Sequence, residues 1–60
     1  MKRRDLIKLL EDNGWRIVRD KGNHTVFMKQ GAQRPIPVGR HREIHDRDAD
    51  DILKEAGLKN

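Results

Sequence analysis

Residues 15–29 read Trp15-Arg16-Ile17-Val18-Arg19-Asp20-Lys21-Gly22-Asn23-His24-Thr25-Val26-Phe27-Met28-Lys29. Trp15, Ile17 and Val18 favour extended structure, and so do Thr25, Val26 and Phe27. Between the two runs stands Asp20-Lys21-Gly22-Asn23, a turn signal in which Gly22 suits a positive φ. The pattern predicts strands over 15–19 and 24–29 joined as an antiparallel hairpin, with Trp15 and Ile17 on one face.

Downstream, Gln30-Gly31-Ala32-Gln33 reads as another turn and residues 34–38 as a third, short strand. Its prolines, Pro35 and Pro37, assign it to an edge, because proline cannot donate a ladder hydrogen bond. Connections this short predict a three-stranded antiparallel meander. Upstream, Leu6, Leu9, Leu10 and Asn13 follow helical spacing, with Ile7 widening the stripe, so residues 3–13 read as a helix. Asn13-Gly14 ends it. Residues 39–45 read as a polar loop. Residues 46–56 read as a second helix, with Ala49, Ile52, Leu53 and Ala56 on one face and Asp46 and Asp48 as candidate caps. Gly57 and Leu58 are placed to close it in a Schellman turn.

The expected fold is therefore α+β, in the order α-β-β-β-α, with both helices covering one face of the sheet. The expected core is Leu6, Leu9, Leu10, Trp15, Ile17, Phe27, Ile36, Ile52, Leu53 and Ala56. Sixty residues leave room for one domain, 1–60, with a small core and a stability on the order of 3–5 kcal/mol.

Composition narrows the function. Fourteen Lys and Arg oppose ten Asp and Glu, a net charge of +4. Residues 1–45 carry eleven basic and five acidic side chains, whereas residues 46–60 carry three and five. The basic surplus thus lies on the first three quarters of the chain and suits a polyanion such as RNA. There is no cysteine, which excludes disulfides, thiolate metal sites and cysteine nucleophiles and fits a reducing cytoplasm. No apolar run approaches the roughly 20 residues of a membrane span, and no secretion signal is evident. Trp15 and Phe27, the two aromatics, are needed in the core, which argues against a base-stacking module.

Three histidines could carry chemistry. His24 opens a strand directly after the glycine turn, held by the sheet yet at its rim, with Lys21 beside it. Gly22 lets backbone pass close to a ligand. An imidazole, with an ordinary pKa near 6.5, can take the proton of an RNA 2′-OH while cations stabilise the charged phosphorane. Spacing alone favours the plainer reading of His24 as a polar strand-end residue. His41 and His45 are four apart, but Arg42 stands where a zinc-type His-Glu motif has its glutamate, so no metal is expected. Val38-Gly39-Arg40-His41-Arg42 suits phosphate contacts better. No Ser-His-Asp set, P-loop or carboxylate pair is apparent.

Leu6-Ile7-Lys8-Leu9-Leu10, Asn13-Gly14-Trp15, Gly22-Asn23-His24 with Phe27, Ile36-Pro37-Val38 with His41, and Ile52-Leu53-Lys54-Glu55-Ala56-Gly57-Leu58 together resemble the HicA toxins of toxin–antitoxin systems. The resemblance covers nearly the whole chain. It implies a fold similar to a double-stranded-RNA-binding domain. It also implies an mRNA interferase: a cytoplasmic endoribonuclease that cuts transcripts and inhibits translation. The family's catalytic histidine, in its Gly-Ser-His motif, falls on His24, and the implied partner is a HicB-type antitoxin. Asn23 replaces the motif's serine. Arg3 and Arg4 stand where family members often carry small or polar residues, which weakens the cap of the first helix. Asp46-Arg47-Asp48 replaces a Lys-Pro-Gly-Thr type start of the second.

The expectation is thus a metal-independent, cofactor-free endoribonuclease with His24 catalytic. Lys21, Gly22, Asn23, Lys29, Arg34, Arg40 and His41 would contact RNA, and the second proton-transfer group is left open. The alternatives are a non-catalytic RNA-binding module on the same fold and a basic protein-interaction domain.

Overall fold

The computed structural model describes residues 1–60. The elements run α1 (Arg3–Asp12), β1 (Arg16–Lys21), β2 (His24–Met28), β3 (Ile36–Gly39) and α2 (Asp46–Glu55). The three strands form one antiparallel sheet in the order β1-β2-β3, so the proline-bearing strand is indeed at an edge and β2 is central.

Both helices end as their sequences direct. At α1, Gly14 takes φ +93. The Trp15 and Gly14 N–H groups donate to the Leu10 and Glu11 carbonyls at 3.0 and 3.1 Å, the two bonds of a Schellman motif. At α2, the Leu58 and Gly57 N–H groups do the same to Leu53 and Lys54, at 2.8 and 3.0 Å. The start of α2 differs from expectation. Its cap is His45, whose Nδ1 accepts the Arg47 N–H at 3.2 Å, and not Asp46 or Asp48.

Alternation along β2 puts Thr25 and Phe27 on the buried face, opposite Val38 and Ile36 of β3. Phe27, Ile36 and Val38 join Leu6 and Leu10 of α1 and Ala49 of α2 in one cluster, which also takes in Trp15 and Ile44. Both helices therefore pack on the same face. The expected core needs correction in three places. Leu9 is exposed, because α1 is rolled so that Arg3, Leu6, Ile7 and Leu10 face the sheet in place of Leu6, Leu9, Leu10 and Asn13. Ile17 is 47% exposed although it pairs with Phe27, because β1 is the far edge and every residue of it is exposed. The ladder register also shifts between Ile17 and Arg19, a bulge that leaves Val18 unpaired. Ile52, Leu53 and Ala56 pack on the cluster only partly buried.

The segment 39–45 is more than a polar loop. Ile44 is buried, and the chain start pairs with this segment: Arg3 N–H to Arg42 O at 2.8 Å and Ile44 N–H to Met1 O at 2.7 Å. That pairing ties the entry of α1 to the exit of β3. No helix is long and apolar enough to cross a membrane.

Candidate functional site

The β1–β2 turn is tighter than its sequence suggested. Lys21 pairs with His24, so only Gly22 and Asn23 form the loop. Gly22 has φ +60 and Asn23 does not have a positive φ, the sign pattern of a type II′ hairpin turn. No heavy atom lies within 4 Å of where a Gly22 Cβ would stand, so the backbone conformation, and not crowding, calls for glycine. The next residue, His24, is the first of the central strand. It pairs with Lys21 of β1 on one side and with Gly39 of β3 on the other. Its neighbour Thr25 faces the core, so the exposed His24 side chain stands on the open face of the sheet.

A polar network locks this end of the sheet. Thr25, only 2% exposed, is the one buried polar residue. Its hydroxyl accepts from Arg3 Nη2 at 2.7 Å and donates to Asp20 Oδ1 at 2.8 Å. Arg3 Nε also donates to the Gly39 carbonyl at 2.8 Å. Arg40 donates from Nη2 to Asp20 and from Nε to the Gly22 carbonyl, both at 2.6 Å. The hydrogen bond from Thr25, and then that from Arg40, hold the Asp20 carboxyl below the usual carboxylate range. Helix start, central strand, β1–β2 turn and β3 exit are thus tied together around the residue next to His24.

Of the expected site residues, Asn23, His24, Arg40 and His41 line one cleft at the β3 edge, shared with Glu43, His45, Asp48 and Asp51. Lys21 is the cross-strand neighbour of His24. Arg40 uses two of its five N–H groups on Asp20 and Gly22, which leaves the others for a ligand. Lys29 and Arg34 do not join this site. They lie past the other end of β2, about 17 Å of strand away from His24. There the Lys29 chain lies over Gly14, and Arg34 pairs with Glu55 at 3.6 Å. Two strands that run antiparallel place the end of one turn far from the start of the other, which spacing along the chain did not reveal. No three His, Asp or Glu side chains come close enough together to hold a metal ion.

The register adds one residue that sequence reasoning did not single out. Arg19 pairs with Val26, so it shares the open face with Lys21 and His24, and neither cation is engaged in an ion pair. Alternation along β1 would have shown this had the bulge at Val18 been known. Arg16 shares that face but bends back, donating to the Glu11 and Trp15 carbonyls.

A solved structure described as a toxin–antitoxin complex from Streptococcus pneumoniae aligns with a TM-score of 0.84 and 39% identity, over 97% of this chain and 98% of that one. Fold and similarity together define a component of a toxin–antitoxin system. The family model for the HicA toxin of bacterial toxin–antitoxin systems matches residues 3–58, and the chain belongs to the HicA toxin family. No curated protein gives a significant match.

Proposed function

We propose that this HicA-family chain is a metal-independent endoribonuclease that cuts mRNA and so inhibits translation, with His24 as its general base. The observation that carries this reading is the placement of His24. It is an exposed imidazole on the central strand, fixed by pairing on both sides, with the free cation Lys21 alongside. The base takes the proton of a 2′-OH, O2′ attacks phosphorus, and the bond to O5′ breaks. Lys21, Arg19 and the remaining N–H groups of Arg40 stabilise the added negative charge on phosphorus. The products end in 2′,3′-cyclic phosphate and 5′-OH, and DNA, which lacks the hydroxyl, survives. The partner that holds the toxin in check is a HicB-type antitoxin, and the site of action is the cytoplasm, where transcripts are translated.

The test is RNA cleavage by the purified chain and its His24→Ala variant in EDTA, with folding checked by circular dichroism. Cutting by the wild type and not by the folded variant supports the proposal. Equal cutting by both removes His24 from the role. Salt-sensitive RNA binding without cutting by either makes the chain a non-catalytic RNA-binding module.

A further inference from the structure

Attack of a 2′-OH on its own phosphodiester moves two protons. One leaves O2′ as the O2′–P bond forms, and one reaches O5′ as the P–O5′ bond breaks. His24 accounts for the first. The register of β3 supplies a group for the second.

His24 pairs directly with Gly39. Residues opposite one another in an antiparallel ladder project their side chains from the same face, with Cβ atoms about 4.5–5.5 Å apart. Gly39 has no side chain to project. His41, two residues further along, comes close to that empty place: its Cδ2 lies 3.9 Å from where a Gly39 Cβ would stand. The His41 ring thus lies in van der Waals range of the slot of His24's cross-strand neighbour, with its Cδ2 within about 9 Å of the His24 Cβ. Both rings line the same cleft and both side chains are exposed. Two imidazoles at that separation can flank one phosphate, as the attacking and leaving oxygens of an in-line displacement require.

We infer that His41 is the general acid, giving its proton to O5′ while His24 takes the proton from O2′. The inference rests on the nuclease reading above. After cleavage His24 carries the proton that His41 lacks, and exchange with water restores both. The other charged or titratable groups on the cleft are Arg40, Glu43, His45, Asp48 and Asp51. Arg40 and Glu43 are engaged in ion pairs, with Asp20 and with Met1 and Lys2. His45 is the remaining imidazole, and its Nδ1 is engaged as the cap of α2.

The experiment uses the full chain on an RNA whose cleavage position has been mapped, and on the same RNA with sulfur replacing the bridging O5′ at that position. A thiolate leaves without protonation, so the modified RNA does not need the acid. On natural RNA, His41→Ala should lose about 10²–10⁴-fold in kcat/KM and the alkaline limb of the pH profile. On the 5′-thio RNA it should come within a few-fold of the wild type, while His24→Ala stays inactive on both. Equal losses of His41→Ala on both substrates overturn the assignment, because they report binding or positioning. Unchanged cutting of natural RNA by His41→Ala overturns it too. A wild type that cuts neither RNA overturns the nuclease reading itself, and this assignment with it.

Discussion

Replacing Thr25 by valine removes one hydroxyl and almost no volume, so it tests the polar network without opening a cavity. The hydroxyl bonds two charged partners, the Arg3 guanidinium and the Asp20 carboxylate. Hydrogen bonds to charged groups contribute about 1.5–3 kcal/mol each. The full sum is not lost. Arg3 keeps its bond to Gly39, Asp20 keeps Arg40, and water reaches Asp20. A loss of about 1–3 kcal/mol is therefore expected, a large fraction of the roughly 3–5 kcal/mol available to a domain of this size. Urea unfolding at neutral pH reads it directly: with a slope near 1 kcal/mol/M, the midpoint should fall by about 1–3 M at unchanged slope. Thr25→Ser, which keeps the hydroxyl, should recover the larger part of the loss in midpoint.

The same substitution has a signature in pH. The Thr25 hydroxyl is the main reason the Asp20 carboxyl is held low, with Arg40 second. A carboxyl lowered in the folded state stabilises the fold fully above its unfolded pKa of about 3.9, and that stabilisation is lost as pH falls through the lower folded value. The stability of the wild type should thus fall with acid below about pH 4, and Thr25→Val should flatten part of that fall. A midpoint shift under about 0.3 M, together with an unchanged acid limb, would refute the idea that this network holds the site end of the sheet.

Two further outcomes follow from burial and charge. Phe27→Ala, at the fully buried centre of the core, should cost about 3–5 kcal/mol and leave the chain largely unfolded, whereas Ile17→Ala on the exposed edge strand should cost well under half of that, as read by thermal or urea unfolding. Arg19→Ala and Lys21→Ala should each weaken single-stranded RNA binding across sequences and reduce the slope of log affinity against log salt by about 0.7; a slope unchanged in both would remove the open sheet face from the RNA path.

Element order, the edge position of the proline strand and the glycine-closed helix ends were legible in the sequence, because each is set by residues within a few positions of one another. What was not legible depends on rotation and register. The stripe Leu6, Leu9, Leu10, Asn13 is helical by spacing, but spacing does not say which part of a wide stripe meets the sheet. The roll of α1 that buries Leu6 and Leu10 also turns Arg3 inward, and leaves Leu9 outside. Trp15 and Ile17 alternate as expected, yet Trp15 lies before β1 and is buried through the Schellman turn, while Ile17 lies on an edge that no helix covers. Val38, Ile44, Ala49 and Thr25 belong to the buried set for reasons of tertiary contact. At the site, the turn and His24 could be read locally. The return of His41 over Gly39, and the separation of Lys29 and Arg34 from it, required the ladder.

The placement of Thr25 explains why a domain with so little core can hold a histidine in a fixed position. The hydrophobic cluster lies under Phe27, Ile36 and Val38 and reaches the site end of the sheet through Val38 and Ile44. Beyond it the Asp20 carboxylate and the backbone at Gly22 and Gly39 are held by Arg3 and Arg40, two charged side chains that bridge 36 residues of sequence to Gly39 and 18 to Gly22. Such bonds are directional, so they fix a geometry where apolar packing would fix only a volume. They also border the cleft without filling it, which leaves His24 and His41 accessible to a substrate from the open side. Arg3 therefore has a role in this chain. It supplies the donor that the buried hydroxyl of Thr25 needs, and through that hydroxyl it reaches the strand that carries His24.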